Sequence, residues 1–199
     1  MDCGGDGGVY RWVQRRQRQG LGTIKCRTWP PGGASYEGES SYTIIDAGST
    51  RRSAVPLLPK VDIWLAPTSP VFPDFKSTLD LFALWRSARA GEGGPGLFAS
   101  AITQVGPNER DLEWAARRKL SFMGQDMLVL NQSLTKHPAW DVTYSGHAMH
   151  ELPANVAGKA ASEFSAMLGQ LFAFGLLTLA APLRFRTPHN GQPNSAALL

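Results

Sequence analysis

Apolar residues along this chain gather into four short runs, separated by stretches with helical spacing. Tyr42-Thr43-Ile44-Ile45-Asp46 is β-branched and aromatic. It closes on an acid followed by the small residues Ala47-Gly48-Ser49, the pattern of a strand meeting a turn. Val61-Asp62-Ile63-Trp64-Leu65-Ala66-Pro67 reads as a second strand, closed by proline. Leu97 to Val105 is a third strand candidate and Asp126 to Leu130 a fourth. Between them, Pro73 to Ala90 places Phe75, Leu79, Phe82 and Leu84 on an apolar side, and the glycines from Gly91 to Gly96 stop that helix. Asn108 can cap a helix running to about Met123, with Glu109 and Asp111 in its first turn. Arg117, Arg118 and Lys119 lie toward its end, and both biases suit the helix dipole. Val9 to Arg18 reads as a helix, with Val9, Trp12 and Val13 on one side and Arg11, Arg15 and Arg18 on another. Ala157 to Gly175 is the last long helix. Residues 20–41 hold adjacent prolines, several glycines and no period, and read as loop.

Strand and helix alternating through short connections predict an α/β fold, a mostly parallel sheet with helices on both faces. The domain is expected over residues 1–175, with an irregular tail over 176–199. A length of 199 residues suits one domain, and 43% apolar residues can fill a core. The net charge of +4 permits contact with nucleic acid without requiring it. Cys3 and Cys26 make neither a disulfide framework nor a CxxC metal site, so a cytoplasmic protein is expected. The first residues lack the basic and apolar regions of a signal peptide. Phe164 to Leu183 carries no charge, yet Gly169, Gln170, Gly175 and Pro182 interrupt it, so it reads as a buried C-terminal helix and no stable membrane association is expected.

Ligands in such sheets bind beyond the carboxyl ends of the strands, which directs attention to the loops after Asp46 and after Pro67. An acid ending an apolar strand can hold the water shell of Mg²⁺, and a small-residue turn after it lets backbone approach a phosphate. The same acid can simply cap the turn. Asp2 opens the run Asp2-Cys3-Gly4-Gly5-Asp6-Gly7-Gly8 ahead of a helix. That run could meet an anion, or be a flexible start, but it lacks the Lys-Ser/Thr ending of a Walker A loop. Arg11, Arg15, Arg16 and Arg18, and separately Arg117-Arg118-Lys119, could contact phosphate or form solvated faces. His137, His147 and His150 fall close together, with Glu151 beside them, but in a segment that reads as loop, which argues against a metal site. No GxSxG and no evident Cys-His pair is present, so covalent hydrolysis has no support.

In order, these pieces resemble the ParA/MinD-type partition ATPases, the deviant-Walker branch of the P-loop NTPases. The run from Asp2 to Gly8, followed by Trp12 and Arg15-Arg16, looks like that family's D-x-D-P-Q-like turn and the helix after it, without its Pro-Gln. Tyr42 to Ser49 resembles the Walker B strand and switch. Val61 to Pro67 with Ser69-Pro70 and Asp74 is similar to the strand that ends in Pro and leads into Ser and Asp. Ser145-Gly146-His147-Ala148-Met149-His150-Glu151, then Ala157, Lys159-Ala160-Ala161 and Glu163, looks like the C-terminal G-x-x-v-x-E and s-K-A-a-x-E segment.

The resemblance implies a protein that binds ATP and Mg²⁺, forms a homodimer around the nucleotide, binds DNA non-specifically and answers to a ParB-like partner protein in plasmid or chromosome segregation. Asp46 would orient Mg²⁺ and its water, Asp2 would position the attacking water, and Gly48 and Pro67 would line the nucleotide site. The family's first strand and its K-G-G-x-G-K-[ST] loop have no counterpart here, and no Gly-Lys-Ser/Thr occurs anywhere in the chain. The expectation is therefore an N-terminally truncated member that is inactive as an ATPase alone and binds no nucleotide by itself. The strand ending Ile102-Thr103-Gln104-Val105 also lacks the Asn often found there. Two rival readings stand beside this one: a non-catalytic interaction protein built on the same sheet, and a membrane-associated MinD-like protein, which the uncharged Phe164 to Ala181 argues against.

Overall fold

The computed structural model describes residues 8–22, 44–47, 54–92, 96–143 and 146–174. Its centre is a three-stranded sheet of β1 (Ile63–Thr68), β2 (Leu97–Ile102) and β3 (Leu128–Val129), in the order β1-β2-β3. Both pairings are parallel, with Ile63 opposite Leu97 and Ala99 opposite Leu128. Helix α2 (Phe72–Glu92) connects β1 to β2, and α3 (Arg110–Met123) connects β2 to β3. Parallel neighbours need such crossovers, because a tight turn cannot return the chain to the same end of the sheet.

The strands bury alternate residues on two faces. Trp64, Ala66, Phe98 and Ile102 pack with Phe82 and Trp85 of α2 and with Ala116 and Leu120 of α3. Phe98 is the hub, with its ring centroid 5.3 Å from Phe82, 5.8 Å from Trp85 and 6.5 Å from Trp64. On the other face, Ala101 and Leu130 meet Met167 and Leu171 of α5 (Ala154–Ala173). Helices thus lie on both faces, as the sequence pattern predicts. Thr68, also buried, contacts Thr78 Oγ1 of α2 at 2.8 Å and Ser100 Oγ of β2 at 2.9 Å. This hydroxyl chain satisfies the polar atoms that close the top of the core.

Among the described strands β1 lies at the end of the row. The carbonyls of Asp62 and Thr68 accept the N–H groups of Leu97 and Thr103, so even-numbered residues of β1 bond to β2. Ile63, Leu65 and Pro67 turn their backbone groups to the other side. Pro67, lacking an N–H, fits that side. Leu65 and Pro67 are also exposed on the face away from α2.

The remaining predicted elements shift at their ends. Of the run 42–46, Tyr42 and Thr43 lie outside the described residues. Asp46 takes part in a single β-bridge, while Ile45 and Ala47 pack against the core. β2 stops at Ile102 because Gln104 takes a positive φ of 58°, after which Val105 bridges to Thr135. The helix predicted from an Asn108 cap begins instead after Glu109, which makes no side-chain cap bond to the helix; its carboxylate accepts the Gly106 N–H at 2.7 Å. Arg117 to Lys119 fall short of its last turn, which holds no basic residue. The histidine segment is not all loop: it contains α4 (Pro138–Thr143) and a 3₁₀ turn over Met149–Glu151. The last helix starts at Ala154, just after Pro153, and the run beyond Phe174, including the tail 176–199, is outside the described residues.

Candidate functional site

Of the residues assigned to a nucleotide site, Asp2 and Gly48 lie outside the described residues. Asp46 is exposed at its β-bridge, and Pro67 is exposed near the end of β1. The described residues therefore offer Mg-ATP one carboxylate and neither a phosphate lysine nor a glycine cradle. On their own they do not make a triphosphate site, and no group of three His, Cys, Asp or Glu side chains among them could hold a metal. His137 serves its own turn, its Nδ1 accepting the Ala139 N–H at 3.1 Å.

The concave surface lies one strand over. A cleft of about 680 Å³ opens beyond the carboxyl ends of β2 and β3, between the start of α3, the loop 131–135 and the middle of α5. Its floor is a polar network. Arg117 donates to the Leu130 carbonyl, to Ser133 Oγ at 2.6 Å and to Glu113 Oε1 at 3.1 Å, and Ser133 donates to Glu113 at 2.5 Å. Glu163 of α5 accepts the Thr135 N–H at 2.8 Å and its hydroxyl at 3.0 Å. Gln170 accepts the Asn131 N–H at 2.8 Å. These side chains add to the backbone bonds of Leu130 and Leu134 to the Ser100 and Ile102 carbonyls in holding the segment after the two-residue β3. Arg110 and Trp114 stand at the rim with Lys159. In the sequence Arg117 reads with Arg118 and Lys119 as a phosphate-contacting or solvated run, which misses its pairing with Glu113 and its loop partners.

A second cluster joins the two ends of the described chain. In α1 (Gly8–Arg18), Trp12 Nε1 donates to the Thr143 carbonyl at 2.7 Å. Arg16, only 5% exposed, forms a forked pair with Glu151 in which both N···O distances are 2.6 Å. It also donates to the Gly146 carbonyl at 3.1 Å and the Gly22 carbonyl at 3.0 Å. Gly146 has φ of 112°, and a Cβ there would come within 2.8 Å of the Arg16 nitrogen, so only glycine allows this approach. Trp12, Arg16, Gly146 and Glu151 all belong to the stretches that carried the family resemblance. The structure brings those stretches into contact, but as an ion-pair clamp in which Arg16 is buried rather than facing a phosphate.

Hydrogen bonds from Arg16, and secondarily from the Ala148 N–H, hold the Glu151 carboxyl below the usual range against the cost of partial burial. Arg16 is raised above its ordinary value, first by the hydrogen bond to Glu151. A carboxyl lowered by folding adds stability above its unfolded value, about 4.3, and loses it as pH falls through the folded value. The arginine's share is present at every accessible pH below its unfolded value. Acidification below about pH 4.3 should therefore weaken the wild-type chain more steeply than Glu151→Gln, and denaturant midpoints measured from pH 6 downward check this. Parallel curves for the two proteins would show that Glu151 does not carry the pH dependence.

No helix among the described residues is long and apolar enough to cross a membrane. No known family model matches the chain, and no curated protein matches it.

Proposed function

We propose that this chain is a ParA-type partition domain, related to proteins that segregate plasmids or chromosomes through an ATP-dependent dimer on DNA and a ParB-like partner. The observation that carries the reading is the sheet. Three parallel strands follow one another in sequence order, each joined by a crossover helix, and among the described strands β1 ends the row. That edge fits a layout in which a further strand, with its phosphate loop, lies beside β1. The contact of α1 with the segment 146–151 adds to it, since both stretches carry the resemblance.

Lacking a Gly-Lys-Ser/Thr sequence, the 199-residue chain is expected to bind no Mg-ATP. Each absent charge-assisted contact forgoes about 1.5–3 kcal/mol, and several together remove micromolar affinity. Isothermal titration with Mg-ATP should give no heat of binding. A chimera that supplies an upstream strand and phosphate loop from a partition ATPase should hydrolyse ATP, and Asp46→Ala in that chimera should abolish turnover. Micromolar binding by the chain itself, or a folded chimera without activity, overturns the assignment. A second reading, the same sheet kept as a docking domain without nucleotide, is favoured by the exposed aromatic residues of α3.

A further inference from the structure

α3 turns only one side to the core, through Ala116 and Leu120. Its outward side carries two exposed aromatic rings, Phe122 at 80% and Trp114 at 62%, while Leu112 and Met123 lie further round the helix toward Ala116. Cations are set among these residues. Arg110, Trp114, Arg118 and Phe122 follow one another at intervals of four, so they form a single ridge along the helix. The Arg118 guanidinium lies over the Trp114 ring at 5.3 Å from its centroid, which orders both side chains before any partner arrives. Lys119 lies over the Phe75 ring at 5.4 Å. Arg117, by contrast, is committed inward to the loop after β3. The outward side therefore carries Arg110, Arg118 and Lys119 against Asp111.

We propose that this face of α3 is a docking surface for an acidic amphipathic helix of a partner protein. Arg110 and Arg118 are eight residues apart, about 12 Å along the axis. Carboxylates at i and i+7 or i+8 on a facing helix span about 10.5–12 Å, so two ion pairs form at the ends of the contact. Apolar side chains of the partner then cover Trp114 between them and Phe122 beyond Arg118. A second copy laid parallel on this face would set arginine against arginine, whereas an antiparallel copy would set Arg118 against Trp114, so self-association of the full chain without any probe would overturn the proposal. Nucleic acid fits less well: phosphates would answer the cations but leave Phe122 in water, and burial of the two rings is the main source of affinity here.

The test uses the full chain and three fluorescently labelled probes: a synthetic amphipathic helix of Glu and Leu, the same helix with Lys in place of Glu, and duplex DNA. Fluorescence polarisation should show the acidic helix binding, the basic helix not binding, and added salt weakening the complex. Trp114→Ala and Arg118→Glu should each weaken it by about tenfold or more. Both side chains are solvent-facing, so the variants should keep the wild-type denaturation midpoint. Phe122→Ala provides a variant that leaves every charge in place, and it should weaken the acidic helix while leaving any DNA binding unchanged. Equal binding of the acidic and basic helices overturns the proposal, as does tighter binding of DNA than of the acidic helix, or an affinity for the acidic helix untouched by Trp114→Ala and Phe122→Ala.

Discussion

Phe98→Ala is expected to lower the free energy of unfolding by about 4 kcal/mol, within the range for removing a buried aromatic ring. Phe98 is fully buried at the centre of β2, where Trp64, Phe82 and Trp85 surround its ring from β1 and α2. Losing the ring leaves a cavity that three large aromatic neighbours, each fixed by its own backbone, cannot readily fill. A domain of this size is stable by about 5–15 kcal/mol, so one substitution would remove a large share. Phe98→Leu keeps most of the volume and should cost about 1 kcal/mol. Urea denaturation of the three proteins checks the order, with an unchanged slope showing that only stability has moved. A loss below about 1 kcal/mol for Phe98→Ala would mean that the aromatic cluster is not the core of the fold.

The strands around Phe98 were legible because a parallel sheet covered on both faces needs continuous apolar runs, and Ile63 to Thr68 and Leu97 to Ile102 are such runs. The length of β3 was not legible. Its apolar run is as long as a strand, but after Leu130 pairing with β2 is interrupted, resuming only when the Leu134 N–H reaches the Ile102 carbonyl, and Arg117, Glu163 and Gln170 hold the segment between from the side. Such side-chain staples leave no periodic trace. α4 escaped for a related reason, since six residues are too few to show a helical period. The expected start of α3 was off by one residue: Asn108 is the more usual capping type, but Glu109 holds the N-cap position and its carboxylate turns back to the Gly106 N–H rather than to the helix.

The site shows the same division. The cleft lies beyond the carboxyl ends of β2 and β3, whereas the loop after Asp46 falls outside the described residues. Arg16 was readable only as one of four arginines on a short helix. Yet Val9, Trp12, Val13 and Arg16 share the i, i+3, i+4, i+7 spacing of one stripe, and Val13 and Arg16 are the residues α1 buries. An arginine at apolar spacing was therefore the available signal for the clamp. Nothing in its local sequence could name Glu151, 135 residues away, as the partner.

Arg16→Ala should release α1. The substitution removes both hydrogen bonds to Glu151 and those to Gly22 and Gly146, and it leaves the carboxylate facing a partly buried pocket. Breaking a buried pair from one side costs about 3–5 kcal/mol, and the lower end applies because the Glu151 side chain is 25% exposed. The loss should be local. Trp12 Nε1 to the Thr143 carbonyl and the packing of Val13 are what otherwise keep α1 in place. A cost of about 3 kcal/mol corresponds to amide exchange in α1 roughly a hundredfold faster, with the amides of β2 little changed. Arg16→Lys keeps the charge but not the planar fork, so it should fall between wild type and Arg16→Ala. Arg18→Ala, on an exposed position of the same helix, should change stability by about 0.5 kcal/mol or less. A double-mutant cycle with Glu151→Gln separates the pair from its surroundings, and coupling of about 2 kcal/mol is expected. If exchange in α1 stayed at the wild-type rate in Arg16→Ala, Trp12 and Val13 alone would be holding the helix, and the ion pair would be an incidental contact.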